Sequence, residues 1–331
     1  MHYLNHLQFI DRVNFLGKEK TPFLFVVNFK GDKALALEIN EIEKYGISAF
    51  FEGRELGKRP EIDKYNGNDL IEFTKKVVPF EIYKEGFNNV MKRIEYGDSY
   101  LLNLTYPTQI EGDINLEKLY INAKSKFKLL MRENFLFYSP EPFLKIENDK
   151  VYSFPMKGTI SAKEENAKER LLTNKKELFE HYTIVDLIRN DLAMIAKNIE
   201  VEEFRYVESI YSKGGEILQT SSRITGELPQ NWNENLGNII TTLLPAGSIS
   251  GAPKQKTLEI INNVEISQRG FYTGVSGFYD GSSLSSCVMI RFIEKDEQGR
   301  FFYHSGGGIT ALSNVEDEYK ELISKIYVPT V

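Results

Sequence analysis

The sequence predicts a single α+β domain, and three stretches of the chain carry that prediction. Residues 23–39 are typical of two strands joined by a polar turn, and residues 135–154 are typical of three short strands. Residues 162–198 are helical in composition, with apolar side chains along one face. No linker rich in Pro, Gly or Ser and no fixed repeat divides the 331 residues, so one domain fits better than two.

A helix and then a strand are predicted after the first strand pair. Apolar residues recur at helical spacing over residues 83–95, and Gly97 and Asp98 end that run. Residues 100–105 are typical of a strand.

Two further boundaries are predicted for the helices in the second half. The helical stretch has a break at Thr173 and Asn174. The last helix begins after Asn314, which is a suitable N-cap, and three acidic residues in its first turn match the helix dipole.

Composition and charge exclude several classes of protein. With 41% hydrophobic and 27% charged residues, the chain is typical of a globular protein and not of a disordered one. A formal charge of -6 without clustered Lys and Arg argues against nucleic acid as a partner. The single cysteine, Cys287, excludes an internal disulfide, and four scattered His argue against a zinc site. Any metal is expected to be a hard ion held by carboxylates.

Targeting signals are not recognised in the sequence. No stretch approaches the roughly 20 apolar residues that a membrane-spanning helix needs, so no membrane partner is expected. The N-terminus lacks a basic region followed by an apolar one, which is the pattern of a secretion signal. We therefore expect a cytoplasmic protein.

A predicted hairpin brings an acid and an amine together. Its turn pairs Ile146 with Val151. If this register continues, Glu141 lies opposite Met156 and beside Lys157. An amine there is a nucleophile when burial or nearby positive charge lowers its pKa from about 10.4 towards neutrality. A surface Glu-Lys pair at a strand end is the alternative interpretation.

Two predicted helices each carry a pair of glutamates three residues apart. They are Glu177 with Glu180 and Glu318 with Glu321, and this spacing puts both members of a pair on one face. If the two faces converge, the four carboxylates are suitable ligands for Mg²⁺ together with water and a substrate carboxylate. Exposed Glu pairs are common on helices, so a solvated face is the alternative for either pair alone.

Two segments rich in small residues are candidate anion sites. Residues 245–254 form a loop of small residues before a helix-like stretch, where backbone N–H groups and the helix dipole favour an anion, although the P-loop spacing is absent. Gly306, Gly307 and Gly308 are typical of either a backbone cradle for a carboxylate or a tight bend.

Tyr272 and Arg291 flank two predicted strands. A guanidinium offers a bidentate fork to a carboxylate, so the two residues are candidates for binding a second acid group. A core tyrosine and a surface arginine are the alternative. Cys287 has no adjacent His or basic run and is expected to be a small core residue.

The order of these features resembles the chorismate-utilising family, which includes anthranilate, isochorismate and aminodeoxychorismate synthases. The resemblance runs from about residue 80 to the C-terminus. It rests on Gly97-Asp98-Ser99-Tyr100-Leu101-Leu102-Asn103-Leu104-Thr105, Ser139-Pro140-Glu141, Pro155-Met156-Lys157-Gly158-Thr159, Glu180-His181, Ile184-Val185-Asp186-Leu187-Ile188-Arg189-Asn190-Asp191, the loop at 245–254, Tyr272, Arg291, Gly306-Gly307-Gly308, and Glu318-Tyr319-Lys320-Glu321 with Lys325.

Within this family the residue before Gly158-Thr159 separates the members. The aminodeoxychorismate type is similar to Pro-Ile-Lys-Gly-Thr, whereas anthranilate synthases carry Ala at the lysine position. The resemblance therefore implies that Lys157 adds to chorismate C2 while Glu141, as general acid, assists departure of the C4 hydroxyl. Ammonia then enters at C4 and expels the lysine, which gives 4-amino-4-deoxychorismate for 4-aminobenzoate and folate biosynthesis.

The resemblance also implies the binding groups and partners. Glu180 and Glu321 are the main Mg²⁺ ligands, with Glu177 and Glu318 contributing directly or through water. A separate glutamine amidotransferase subunit supplies the ammonia. The ring carboxylate is held with the help of Thr159, Gly306, Gly307, Gly308 and Lys325, and the enolpyruvyl carboxylate by Tyr272 and Arg291.

The implied fold is an α/β/β/α arrangement of two face-packed antiparallel sheets with helices outside. One catalytic domain spans 1–331, with a short divergent N-terminal part at 1–80 and the catalytic core at 81–331. Residues 160–162 and Pro142 depart from the family pattern. An anthranilate or isochorismate synthase-type enzyme that carries Lys157, or a chorismate-binding subunit without activity, is the alternative function.

Overall fold

Two antiparallel sheets of nine strands each form the centre of the protein. The computed structural model describes residues 2–61, 73–212 and 215–328, and the elements below lie within them. In spatial order the first sheet contains β11 (Met156–Ser161), β13 (Gly215–Glu227), β10 (Lys150–Ser153), β9 (Pro142–Glu147), β16 (Leu284–Val288), β15 (Val275–Tyr279), β1 (Phe23–Val27) and β2 (Ala34–Glu38), and β12 (Lys197–Ser212) pairs with β13.

The second sheet is built in the same way. Its spatial order is β14 (Gly251–Ala252), β6 (Leu101–Glu111), β18 (Phe301–Thr310), β17 (Phe292–Lys295), β8 (Phe135–Ser139), β7 (Phe127–Met131), β3 (Ile47–Phe51) and β4 (Arg54–Leu56), and β5 (Thr74–Lys76) pairs with β6.

Helices cover the outer faces of the sheets. None of the helices in the described segments is both long and apolar enough to cross a membrane. The helices are α1 (His6–Lys18), α2 (Phe80–Glu95), α3 (Leu116–Asn122), α4 (Ala167–Thr173), α5 (Lys175–Ala193), α6 (Leu236–Thr242), α7 (Gly247–Ser250), α8 (Lys254–Val264) and α9 (Val315–Ser324), with short 3-10 turns at Ile42–Tyr45 and Trp232–Asn235.

Strand β1 illustrates how the layers are formed. Leu24 and Val26 point into the apolar core between the sheets, where they join Phe137 and Phe292 of the second sheet. The alternate residues of β1 point the other way and pack with residues of α1, α5 and α6. Both faces of the strand are therefore buried, as its apolar sequence requires.

The second sheet is covered on its outer face by other helices. Apolar residues of α2, α8 and α9 pack on β6, and those of α3 pack on β7 and β8. The order of layers is thus helices, sheet, sheet, helices, which confirms the predicted α/β/β/α arrangement.

Several predicted elements are confirmed. Strands β1 and β2 form the predicted antiparallel pair, and α2 and β6 follow. Asn174 separates α4 from α5 and accepts a hydrogen bond from Glu177 N at 3.1 Å. Asn314 caps α9 by accepting hydrogen bonds from Glu316 N and Asp317 N.

The predicted extension of the central hairpin is wrong. Ile146 does pair with Val151, but the ladder between β9 and β10 ends at Lys145 and Tyr152. After it, Pro155 has no N–H to donate to a ladder, and its carbonyl accepts from Ser222 N of β13 at 3.0 Å. The chain therefore continues as β11 along β13, with which β10 already pairs, and Met156 lies opposite Ser221 and not Glu141.

Candidate active site

The candidate site lies where the chain passes from one sheet to the other. Glu141 connects β8 of the second sheet with β9 of the first, and Arg291 connects β16 with β17. The two crossings are adjacent, because Val288 N donates to the Glu141 carbonyl at 3.1 Å and Tyr138 N donates to the Arg291 carbonyl at 3.3 Å. Backbone hydrogen bonds thus fix an acid and a guanidinium-bearing residue at one edge of the sandwich.

Lys157 leaves the ladder of β11 at a bulge. Met156 pairs with Ser221, but the next pair along the ladder, Thr159 with Gln219, is shifted by one residue. Gly158 takes a φ of 85°, a left-handed conformation that suits glycine. A bulge of this kind redirects a side chain at a strand edge, which explains why Lys157 points out of the regular strand.

The three glycines lie in the middle of β18, so the interpretation of a tight bend is wrong. Gly306, Gly307 and Gly308 pair regularly with residues 103–105 of β6. A Cβ atom on Gly308 would lie 3.3 Å from the Lys157 Nζ atom. The bare strand therefore leaves room for the amine.

The neighbouring glycine leaves room for carboxylates. A Cβ atom on Gly307 would lie 3.3 Å from Glu318 Oε2 and 3.9 Å from Glu321 Oε1. Because successive residues of a strand face opposite sides, the lysine amine approaches one face of the glycine segment and the two carboxylates approach the other.

The surroundings of Glu141 make it a weaker acid than an exposed glutamate. The Ser248 hydroxyl donates to its Oε1 at 2.6 Å. Burial raises the pKa of Glu141 above its ordinary value, although that hydrogen bond and the charges of Lys157, Arg291 and Lys325 oppose the rise. A carboxyl with a raised pKa keeps its proton nearer neutral pH, which a general acid requires.

The three cations near Glu141 come from different elements. Lys157 comes from the bulge of β11, Arg291 from a crossing, and Lys325 from the end of α9. The Lys325 ammonium donates to the Gly306 carbonyl at 2.9 Å and pairs with Glu321 at 2.7 Å. This acidic protein therefore has a local positive region suited to an anionic substrate.

Tyr272 and Arg291 are neighbours, as their predicted positions beside two strands indicate. Thr273 N donates to the Met289 carbonyl at 2.8 Å, which ties the segment after Tyr272 to the segment before Arg291. Tyr272 is buried, whereas Arg291 is only partly buried and lies 5.2 Å from the Tyr327 ring centroid. Thr159 is exposed on β11.

The glutamate pairs lie on α5 and α9 at the margins of this region. A Cβ atom on Gly158 would lie 3.0 Å from Glu177 Oε2, and Glu180 and Glu318 are buried. Within residues 2–61, 73–212 and 215–328, no three His, Cys, Asp or Glu side chains are close enough together to hold a metal ion. Two carboxylates over Gly307 nevertheless fit Mg²⁺, which usually takes one or two protein carboxylates and keeps several waters or substrate oxygens.

Comparison with known proteins identifies the family. A model of the chorismate binding enzymes matches residues 10–330. The chain belongs to the chorismate binding enzyme family. The match extends well before residue 80, so it includes most of the N-terminal part that precedes the recognised motifs.

Two relatives and one solved structure illustrate the range of this family. An uncharacterised PabA-like protein of Haemophilus influenzae is 47% identical over 97% of this chain and 96% of its own length. Aminodeoxychorismate synthase component 1 of Salmonella typhimurium is 30% identical over 74% of this chain and 56% of its own. The menaquinone-specific isochorismate synthase of Escherichia coli has the same fold, with a TM-score of 0.66, 14% identity and coverage of 98% and 91% of the two chains.

Two residues near the site, His181 and Ser248, lie in motifs recognised in the sequence but were given no individual role there. His181 is buried, and its Nε2 atom lies 2.7 Å from Ser222 Oγ, which accepts from Arg205 N at 2.8 Å. Burial is the main cause that lowers the pKa of His181 to about 4, so the ring is neutral at neutral pH. Since the Ser222 oxygen already accepts from Arg205, its proton is available to His181.

His181 and Ser248 contact different residues of the site. His181 lies close to the Lys157 backbone, whose carbonyl partly opposes the fall in the pKa of the ring. That carbonyl also accepts from the Thr220 hydroxyl. Neither residue has a spacing signature: His181 occupies one position of an apolar stripe, and Ser248 stands among other small residues.

A buried ion pair fixes β6 beside the glycine segment. The Arg269 guanidinium and the Glu265 carboxylate are 1% and 4% exposed and lie 2.7 Å apart. Arg269 donates to the Asn103 carbonyl at 2.5 Å, and Glu265 accepts from Thr105 N at 3.0 Å. These hydrogen bonds attach the C-terminal side of α8 to the strand that pairs with Gly306.

Proposed function

We propose that this chain is component I of an aminodeoxychorismate synthase, which converts chorismate and ammonia to 4-amino-4-deoxychorismate. One observation carries the proposal: the Lys157 amine approaches Gly308 of β18, and the carboxyl of Glu141, whose pKa is raised by burial, is close enough to be influenced by the charge of Lys157. A nucleophile and an acid at one site match a substitution in which hydroxide has to leave.

The first half of the reaction uses both residues. The nitrogen lone pair of Lys157 forms a bond to C2, both ring double bonds shift by one position, and the C4 oxygen leaves as water with the proton of Glu141. Acid assistance of this kind contributes about 10²–10⁴ in rate. The hydrogen bond from Ser248 occupies Oε1 of Glu141, so it leaves Oε2 to carry the proton.

The second half restores both residues. Ammonia forms the bond to C4, both ring double bonds shift back, and the bond between C2 and the lysine nitrogen breaks, so that its electron pair returns to Lys157. The new C4 ammonium gives one proton to the Glu141 carboxylate. Covalent capture thus divides one difficult substitution into two easier ones.

Chorismate carries two carboxylates, and the site offers a cation to each. Arg291, with Tyr272 beside it, would bind the enolpyruvyl carboxylate, since a guanidinium can donate two parallel hydrogen bonds. Lys325 and the glycine backbone would bind the ring carboxylate, and Thr159 would assist if its exposed side chain turns inward.

Mg²⁺ would complete the ring-carboxylate site. Glu180 and Glu321 would be its main ligands, with Glu177 and Glu318 bound directly or through water. The ion would supply positive charge to the ring carboxylate and fix its orientation. The protein residues would position the acid and the amine.

The ammonia would come from a separate glutamine amidotransferase subunit. Hydrolysis of glutamine by a thiol needs a reactive thiolate. Cys287 is the single cysteine of the chain, it is fully buried, and burial raises its pKa well above the ordinary value. Cys287 is therefore unsuited to this step, and ammonium salts should replace the partner in vitro.

A product assay tests the proposal. The purified chain is incubated with chorismate, Mg²⁺ and ammonium, an aminodeoxychorismate lyase is added, and the products are separated by chromatography. We expect 4-aminobenzoate that depends on chorismate, ammonium and the lyase. Anthranilate or isochorismate as the product would place the chain in another branch of the family, and no conversion of chorismate would contradict an enzymatic function.

A further inference from the structure

A small cavity adjoins Glu141 and has no role in the steps above. Its volume is about 20 Å³, which is room for one molecule the size of water, since such a molecule needs roughly 10–15 Å³. Glu141 and Ser248 line it, but Lys157, Arg291 and Lys325 do not. We propose that this cavity is the binding site of the ammonia that attacks C4, an inference that rests on the amination reaction proposed above.

The walls select a neutral molecule. They include the apolar side chains of Phe143, Leu144, Ile188, Leu192, Leu243 and Ala246. An ammonium ion would lose its hydration among these groups at a larger cost in free energy than neutral ammonia, because burial of a charge costs more than burial of a neutral polar molecule. Asp191 also lines the cavity, but its carboxylate is already paired with Lys254 at 3.2 Å. The cavity thus favours the species that can act as a nucleophile.

The polar end orients that molecule. In the first half-reaction Glu141 gives up its proton and becomes a carboxylate, which accepts a hydrogen bond from ammonia. The nitrogen lone pair then remains free for C4. Because the hydroxyl leaves from C4 towards Glu141 and the amine enters at the same carbon, a molecule seated against Glu141 is adjacent to the reacting atom.

Occupancy of the cavity also limits a competing reaction. Water of the same size would attack the covalent intermediate and return a hydroxyl to C4. Apolar walls give a second water molecule few hydrogen-bond partners, because an ordered water needs two to four. Ammonia and water therefore compete for one binding position, and the ratio of amination to hydrolysis measures the selectivity of the cavity for ammonia.

Two cavity variants and one control test the inference. Ala246→Val adds two methyl groups at a wall residue that is 2% exposed. Ala36→Val makes the same change in the same apolar cluster, at a residue that is 5% exposed and does not line the cavity. Leu243→Ala enlarges the cavity. Thermal unfolding and the dissociation constant for chorismate verify that each variant is folded.

The expected results concern the amine and not chorismate. Ala246→Val should raise the KM for ammonium at least tenfold at a constant pH, with chorismate binding and adduct formation on Lys157 unchanged. Ala36→Val should leave the KM for ammonium as in the wild type. Leu243→Ala should accept methylamine, which the wild type uses at least tenfold less efficiently than ammonia.

Failure of this inference differs from failure of the proposed function. If the wild type aminates chorismate, but Ala246→Val keeps the wild-type KM for ammonium, the cavity does not bind ammonia. Equal use of methylamine by the wild type and Leu243→Ala would overturn the inference as well. If the wild type yields no aminated product, the proposed function itself fails.

Discussion

Replacing His181 by Asn should reduce the loss of stability that this protein shows when the pH is lowered. The pKa of His181 is lowered from 6.5 to about 4 in the folded protein, mainly through burial. Between these two values the unfolded chain binds a proton and the folded protein does not. The stability associated with the neutral ring is therefore complete above about pH 6.5 and is lost as the pH falls towards about 4.

The size of the effect follows from the difference between the two pKa values. One pKa unit corresponds to about 1.4 kcal/mol, so a difference of about 2.5 units corresponds to about 3 kcal/mol. Because the ring is partly titrated at about pH 4.5, the loss between about pH 7.5 and about pH 4.5 should be roughly 2.5 kcal/mol.

Urea titrations at the two pH values measure this term. The free energy of unfolding of the wild type should fall by roughly 2.5 kcal/mol more than that of His181→Asn. His2→Asn, which removes an exposed histidine, should behave as the wild type does. Equal falls for the wild type and His181→Asn would refute the reasoning, because His181 would then titrate alike in the folded and unfolded chains.

Three further predictions concern the acid, the glycine segment and the buried ion pair. The kcat should fall as the pH rises through the raised pKa of Glu141, because the acid then loses its proton. Glu141→Gln should lower kcat by about 10²–10⁴ in steady-state assays with little change in KM. A pH-independent kcat would contradict the acid role. Gly308→Ala would bring a Cβ atom within 3.3 Å of the Lys157 amine and should lower kcat by about tenfold to hundredfold while chorismate still binds. Arg269→Met leaves the Glu265 carboxylate buried without its partner, so it should lower the free energy of unfolding by about 3–5 kcal/mol in urea titrations. A change below about 1 kcal/mol would show that the ion pair is not needed for stability.

Most of the local structure could be predicted from the sequence, because the residues that determine it are close together along the chain. Asn174 and Asn314 are N-caps whose side chains accept backbone hydrogen bonds. The cap at Asn314 was predicted from residue type, and at Thr173 and Asn174 a break in the helical stretch was predicted. The turn after Ile146 determines the first pairs of the hairpin in the same way. The layer order was expected only from the family resemblance, since periodicity does not say which faces pack together.

The site residues were harder to assign because distant elements meet there. Glu141 and Lys157 were expected to meet through one hairpin, but the chain leaves β10 at Pro155 and continues as β11, which pairs with β13 and not with β9. Gly306 to Gly308 were read as a cradle or a bend, and only pairing with β6 shows that they lie within a strand. Ser248 was missed because a hydrogen bond over 107 residues leaves no pattern in the sequence.

The central claim is that the Lys157 amine is the nucleophile of an amination reaction. Lys157→Ala and the control Lys145→Ala, a lysine of β9 paired with Glu147, are assayed with chorismate, Mg²⁺ and ammonium, and the 4-amino product is measured through 4-aminobenzoate. We expect Lys145→Ala to form the product as the wild type does and Lys157→Ala to form none, although it still binds chorismate. Formation of the 4-amino product by Lys157→Ala at the wild-type rate would contradict the covalent mechanism.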